Sequence, residues 1–264
     1  GEKMTNTIQL RDEYIALLRD IIINTIYSDN ALKSQKKWKF WRSETRTFDL
    51  NKRLNGSDWP SVAHSMIGLK RMNNVRDLLS KVIENKVPGD FIETGVWRGG
   101  ACIFARGICR AYGENNRTIW VADSFEGLPK PNEKKYKADV KDKHYKIDLL
   151  AVTLDQVKAN FKCYGLLDEQ VKFLKGWFKE TLPTAPIEKL AILRLDGDMY
   201  ESTMDALVSL YPKVSPGGYV IVDDYHDIQG CKLAINDYMT NHAAGETLNI
   251  QEIDGHGIYW QRNI

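Results

Sequence analysis

The chain has 264 residues, 43% of them hydrophobic and 27% charged, with a formal net charge of +2. Those values suit a globular α/β domain with additions, and a charge so near zero supplies no field that would select nucleic acid or a membrane surface. No apolar run nears the roughly 18–20 residues of a spanning helix, and Ile8 to Ile26 is interrupted by Arg11, Asp12, Glu13, Arg19 and Asp20, so no secretory core is read there.

The opening Gly-Glu-Lys-Met reads as an expression remnant, with Met4 as the native start. Helical spacing of Ile8, Tyr14, Leu17, Leu18, Ile21 and Ile22 predicts a helix over 7–26, and a second amphipathic helix is predicted over 66–83. Between them, 33–42 sets five basic residues around Trp38, Phe40 and Trp41. Stacking aromatics among cations are one recipe for single-stranded nucleic acid. The near-neutral chain favours a solvated loop whose aromatics dock on the core or on a partner subunit. Residues 1–87 are therefore expected to form a helical cap for substrate and oligomer contacts, and residues 88–264 the main domain.

From residue 90 strand and helix signals alternate. Strands are predicted at 90–94, 118–123, 171–174, 190–196 and 218–223, and helices at 101–112, 154–164 and 203–211. Such alternation builds a parallel sheet with helices on both faces. Two final strands, 248–253 and 258–262, flank Asp254-Gly255-His256-Gly257, a sequence suited to a hairpin turn. Five parallel strands closed by an antiparallel hairpin resemble the seven-stranded, mostly parallel sheet of the Rossmann-like class I methyltransferases, and that fold is the expectation. The irregular stretch 127–149, rich in lysine and aspartate, is longer than ordinary connections and is expected to be a lid. The cysteines at 102, 109, 163 and 231 show no C-x-x-C spacing and read as packing residues of a protein kept in a reducing cytoplasm.

The first strand ends in Glu93-Thr94-Gly95 and runs through Val96-Trp97-Arg98-Gly99-Gly100 into a helix. Glycine lets backbone approach a ligand closely, and the helix start offers unpaired N–H groups. An acid at that tip repels a pyrophosphate but suits a ligand with a cationic end, such as the amino and sulfonium groups of S-adenosylmethionine. Asp123, about 30 residues on at the next strand tip, is placed to accept ribose hydroxyls, the device dinucleotide folds use. Ser124 and Phe125 follow it, the aromatic positioned to cover an adenine, and Gly176-Trp177 offers either a second aromatic wall or a core contact. The tips of the fourth and fifth strands carry Asp196, Asp198, Asp223 and Asp224. Packed acids repel one another unless a cation neutralises them, and carboxylates suit Mg²⁺. Asp196, Asp223 and Asp224 are the expected metal ligands, while Asp198 reads as a helix cap or salt-bridge partner. Because an aliphatic hydroxyl holds its proton tightly, a base is wanted beside the ion: Asp196 first, with His226 and the lid residue His144 as alternatives.

The runs at 91–100, 121–129, 176–183, 195–203, 217–225 and 257–260, in this order, resemble the macrocin O-methyltransferase (TylF-type) family. The resemblance implies Mg²⁺-dependent methyl transfer from S-adenosylmethionine to a hydroxyl of a natural product, typically on a deoxysugar. It places the metal acids on Asp196, Asp223 and Asp224, with Asp196 a base. Thr94 and Arg98 in these runs are expected among the donor contacts, with Asp196 beside them, and Met66 and Tyr200 on the acceptor side; the lid residue His144 is expected to face the acceptor too. The resemblance also implies a homodimer or higher homo-oligomer, and neither nucleic-acid nor membrane partners. A hydroxyl on a polyketide, catechol or carrier-bound chain, or a non-catalytic domain that only binds the donor, are the competing readings.

Overall fold

Successive residues of a strand point to opposite sides, so strands that are apolar throughout demand a core on both faces of their sheet. The computed structural model, which describes residues 2–32, 45–132, 134–140 and 142–263, meets that demand. An N-terminal part contains α1 (Glu2–Ile22), β1 (Ala31–Leu32), β2 (Thr45–Arg46), α2 (Leu50–Leu54) and α3 (Gly68–Glu84). The alternating part runs β3 (Asp90–Thr94), α4 (Gly100–Ala111), β4 (Ile119–Asp123), α5 (Leu154–Cys163), β5 (Val171–Lys175), α6 (Phe178–Thr181), β6 (Leu190–Leu195), α7 (Tyr200–Leu210) and β7 (Val214–Val222). It closes with α8 (Gln229–His242), β8 (Gln251–Glu252) and β9 (Ile258–Gln261).

The seven-stranded sheet has the order β5-β4-β3-β6-β7-β9-β8. The first five strands are parallel, and β9 joins β7 antiparallel. On β4, Ile119 and Val121 enter one apolar cluster with α1, α3, α4 and α5, whereas Trp120 and Ala122 enter the other with α7 and α8. From β3 the chain builds outward through β4 and β5, then returns to place β6 on the other side of β3. Ligands of open parallel sheets bind at such a reversal, beyond the carboxyl ends of the strands.

Ile15, Leu18 and Ile22 of α1 and Met72, Val75, Leu79 and Val82 of α3 are buried in the first cluster. The N-terminal part thus shares its core with the sheet it covers, at about 1.5–3 kcal/mol for each fully buried aliphatic side chain. Among the described residues no helix is long and apolar enough to cross a membrane. The basic, aromatic stretch 33–42 lies outside the described residues.

Several elements depart from expectation, the short β1, β2, α2 and α6 among them. α8 was not predicted, although it buries Cys231, Ala234, Ile235 and Tyr238 at i, i+3, i+4, i+7 spacing; it starts at Ile228 with no side-chain cap, so its sequence carries no start signal. The strand expected over 248–253 shrinks to β8. The lid contains three single turns of 3₁₀ helix, Lys137–Asp139, His144–Lys146 and Asp148–Leu150.

Candidate active site

A cavity of about 760 Å³ opens at the reversal point, within the range of small-molecule sites. Glu93, Asp123, Asp196 and Asp223 line it from the tips of β3, β4, β6 and β7, Gly127 to Lys130, Asn132, His144 and Leu150 from the lid, and Trp59, His64 to Ile67 and Arg71 from the N-terminal part. Gly95 is indispensable to the shape. Its φ of +89° is left-handed, and a Cβ there would stand 2.0 Å from the Asp196 carbonyl oxygen. The turn after β3 therefore packs its backbone against the tip of β6, joining two halves of the cavity. Gly100 does the same for the N-terminal part, since a Cβ would meet the His64 carbonyl at 2.4 Å.

Backbone strain concentrates here. Of the five non-glycine residues with positive φ among those described, Trp97 (+47°), Phe125 (+57°) and Asp198 (+61°) sit in the turns after β3, β4 and β6. Such conformations cost roughly 1–3 kcal/mol each and persist where the surroundings over-determine them.

Asp123 ties two of these turns together: one carboxylate oxygen accepts the Val96 N–H at 2.8 Å and the other the Phe125 N–H at 2.8 Å. Glu93 is buried and accepts from Arg194 Nη1 at 2.5 Å and from the Cys102 thiol at 3.0 Å. Burial pushes its carboxyl above the usual range, with Arg194 opposing.

Arg194, which sequence reasoning passed over, is the hub of the site. It is 1% exposed within an otherwise apolar strand. Its guanidinium donates to Glu93, to Asp196 at 2.5 Å and to Asp223. Arg71 of α3 holds the other Asp223 oxygen at 2.5 Å and reaches Asp254 of the hairpin at 2.9 Å. A charged residue two positions before the Asp196 tip, inside a run of Leu, Ala and Ile, was the available signal.

That hub divides the acids. Both oxygens of Asp223 accept from arginines, while its carboxylate still lines the cavity. The carboxylates that each offer an oxygen within 4.8 Å of the others are Asp196, Asp198 and Asp224. Asp198, expected as a cap or salt-bridge partner, joins Asp196 and Asp224 in this cluster, its side chain hydrogen-bonded to Asp224. Burial, then the charge of Asp223, pushes the Asp196 carboxyl up to about 8. Burial followed by Asp198, Asp223 and Asp196 pushes Asp224 well above the carboxylate range, and Asp198 is raised by burial too. Asp224 Oδ2 is buried with no hydrogen-bond partner. Three crowded carboxylates with an orphaned oxygen are the donor set that a hard divalent cation satisfies.

Of the other expected residues, Ser124, Gly176, Trp177, Met66 and His144 line the cavity with Glu93, Gly95, Asp123, Asp196 and Asp224. His144 pairs with Asp142 at 2.8 Å, which raises its pKa. Five do not line it. Thr94 is buried in β3 and bonds the Arg194 carbonyl. Arg98 turns to the N-terminal part, donating to the Pro60 and Ala63 carbonyls and lying 4.2 Å over the Trp97 ring. Phe125 is buried against Phe173 instead of facing an adenine. Tyr200 spends its hydroxyl on Asp237 at 2.9 Å and its ring on Tyr136. His226 pairs with Glu252 at 3.0 Å and is not among the residues that line the cavity.

A seven-stranded sheet of this order, with an acid-x-Gly turn beneath the reversal point, defines a class I S-adenosylmethionine-dependent methyltransferase. Residues 11–262 match the Macrocin-O-methyltransferase (TylF) family, and the chain belongs to it. It is 50% identical over 250 residues to demethyldecarbamoylnovobiocin O-methyltransferase of Streptomyces niveus, covering 94% of this chain and 93% of that protein. It is 48% identical over 256 residues to 8-demethyl-8-(2,3-dimethoxy-alpha-L-rhamnosyl)-tetracenomycin-C 4'-O-methyltransferase of Streptomyces olivaceus, covering 97% and 94%. The solved structure of the O-methyltransferase NovP superposes with a TM-score of 0.88 at 49% identity, covering 96% of this chain and all of that one. The chain is accordingly an O-methyltransferase that takes its methyl group from S-adenosylmethionine.

Proposed function

We propose that the enzyme methylates a sugar hydroxyl of a glycosylated natural product in antibiotic biosynthesis, with Mg²⁺ held by Asp196, Asp198 and Asp224. The observation that carries this is the placement of the Glu93–Gly95 turn and the acid trio in one cavity, joined by the Gly95–Asp196 backbone contact. Two relatives whose names specify natural-product acceptors, one of them a rhamnosyl compound, support the acceptor class.

In this reading Glu93 faces the donor's amino end and Asp123 its ribose, with Ser124, Gly176 and Trp177 along the nucleoside. The bound ion would supply positive charge that eases ionisation of an alcohol and favours one orientation of the acceptor. Asp196 takes the hydroxyl proton. The guanidinium of Arg194 fixes the direction of its carboxylate. Trp59 and Met66 on one side and the lid on the other exclude water. Orienting the attacking oxygen against the methyl group can supply roughly 7–11 kcal/mol of the barrier.

The apolar side chains Leu10, Tyr14, Leu17 and Ile21 form an exposed stripe on α1, a surface that fits a second copy of the chain; light scattering reads the mass. The function is tested by incubating enzyme, S-adenosylmethionine and a panel of glycosylated and aglycone acceptors, with Mg²⁺ or EDTA. A gain of 14 mass units on glycosides only, lost in EDTA, is the expected result. Methylation of aglycones alone overturns the acceptor class, and full turnover in EDTA overturns the metal.

A further inference from the structure

The lid is fastened to the body by a carboxylate that serves a helix far from it in sequence. α7 begins at Tyr200, directly after the Asp198 turn, and Met199 at its cap position contributes no side-chain bond. The first-turn amides of a helix need an acceptor. Asp139 of the lid provides one: its Oδ1 accepts the Tyr200 N–H at 2.8 Å and its Oδ2 the Glu201 N–H at 3.1 Å. Asp139 is 2% exposed, so its charge has left water for those two N–H groups and the positive end of the helix.

Two further features are built around this contact. Gly230, in the first turn of α8, clears space for it: a Cβ there would stand 2.7 Å from Asp139 Oδ1 and 3.0 Å from the Tyr200 amide. The ring of Tyr136, three residues before Asp139, packs on Tyr200 at 5.6 Å between centroids. At the far end of the lid the Trp97 indole N–H donates to the Leu149 carbonyl at 2.8 Å, linking it to the turn after β3. Between these points the lid presents His144 to the cavity.

We infer that Asp139, as an out-of-sequence N-cap of α7, latches the lid that carries part of the cavity wall. The inference rests on the proposed function only in taking that wall for part of the acceptor site. The latch opens when acceptor enters or product leaves, uncapping α7 each time, and recloses when the two amides regain the carboxylate.

The test is a double-substitution cycle on the two sides of the contact, read by limited trypsinolysis with cleavage sites mapped by mass spectrometry. Lys134, Lys135, Lys137, Lys143 and Lys146 place trypsin sites throughout the lid. When opening is fast compared with cutting, the cleavage rate follows the open population. Loss of a helix cap then raises lid cleavage in Asp139→Ala by about 2- to 30-fold. Gly230→Ala, which pushes on the same carboxylate from α8, raises it comparably. In the double variant the two effects fall short of multiplying, because removing the carboxylate relieves the 2.7 Å contact of the new methyl group and leaves only the milder 3.0 Å one to the Tyr200 amide. Asp139→Asn, which keeps one carbonyl acceptor, falls between wild type and Asp139→Ala. Calorimetry with S-adenosylhomocysteine confirms that each variant is folded; should Asp139→Ala fail that check, Asp139→Asn and Gly230→Ala carry the comparison. Lid cleavage unchanged in the folded variants, or effects that multiply in the double variant, would overturn the latch. Absence of S-adenosylhomocysteine binding by the wild type would sink the proposed function instead and leave the cleavage result standing.

Discussion

Asp224→Asn should stabilise the metal-free protein while abolishing its response to Mg²⁺. Asp224 Oδ2 is buried without a partner, and oxygens of Asp196 and Asp198 lie within 4.8 Å. Two unit charges at that distance repel by about 3.5 kcal/mol at an effective dielectric constant of about 20. Part of that repulsion is relieved at neutral pH because these carboxyls are raised by burial and by one another. A net gain of roughly 1–3 kcal/mol remains, similar to the penalty for one unsatisfied buried polar group. In a domain of this size it corresponds to about 2–12 °C in Tm. Mg²⁺ at 100 times its dissociation constant should add about 2.7 kcal/mol to the wild type and nearly nothing to the variant. Scanning calorimetry in EDTA and in excess Mg²⁺ gives all four values. A variant that melts no higher than wild type in EDTA, or that keeps the full Mg²⁺ increment, refutes the reasoning.

Asp198→Asn should weaken Mg²⁺ at least tenfold by titration calorimetry, whereas Asp223→Asn should disturb folding through Arg71 and Arg194 more than metal affinity; the reverse order would return Asp223 to the ligand set. Gly95→Val places a branched side chain where a Cβ already collides with the Asp196 carbonyl at 2.0 Å, so S-adenosylhomocysteine binding should vanish, and retained affinity would show that the donor lies elsewhere. His64, hydrogen-bonded to Tyr164 at 2.7 Å, has its pKa lowered by burial and then by Arg98. It folds neutral and must charge on unfolding, so the wild type should lose stability as pH falls below about 6.5, by up to about 1.4 kcal/mol per pH unit. His64→Gln should flatten that slope; a slope unchanged in the variant assigns it to other groups.

What the sequence made legible was what local chemistry dictates. An acid followed by glycine at the end of an apolar strand reads correctly as a turn against a ligand cavity, because no other residue tolerates the Gly95 conformation and contact. The strand-tip acids read correctly as one rim, because parallel strands end on the same side. Illegible were choices made by tertiary partners. Phe125 looked like an adenine cover, yet Asp123 captures its amide and turns the ring inward onto Phe173. Tyr200 and His226 stand next to site residues in sequence, but Asp237 and Glu252 claim their polar atoms from α8 and β8. Since α8 carries no start signal, neither Asp237 nor the clearance at Gly230 was foreseeable.

Arg194 explains why the cluster of Asp196, Asp198 and Asp224 could not be read from strand tips alone. Four acids converge on the rim, and their equivalence in sequence hides that one buried guanidinium divides them. By bonding Glu93, Asp196 and Asp223 together, Arg194 commits Asp223 to the structure, since its second oxygen goes to Arg71 of the N-terminal part. The chain Asp254–Arg71–Asp223–Arg194–Glu93 then runs from the C-terminal hairpin through the cap to the donor turn without leaving the protein interior. Breaking one member of such a buried network typically costs 3–5 kcal/mol because its partners stay behind uncompensated. The cap and hairpin are therefore part of the active site energetically, although neither supplies one of the three clustered carboxylates. It also follows that Asp196, alone among the network's acids, belongs to both systems: Arg194 holds one oxygen, and the cluster with Asp198 and Asp224 draws on the same carboxylate. Its carboxylate is thus aimed by the fold from one side and shared with the acid cluster on the other, the placement on which the proposal of Asp196 as the base rests.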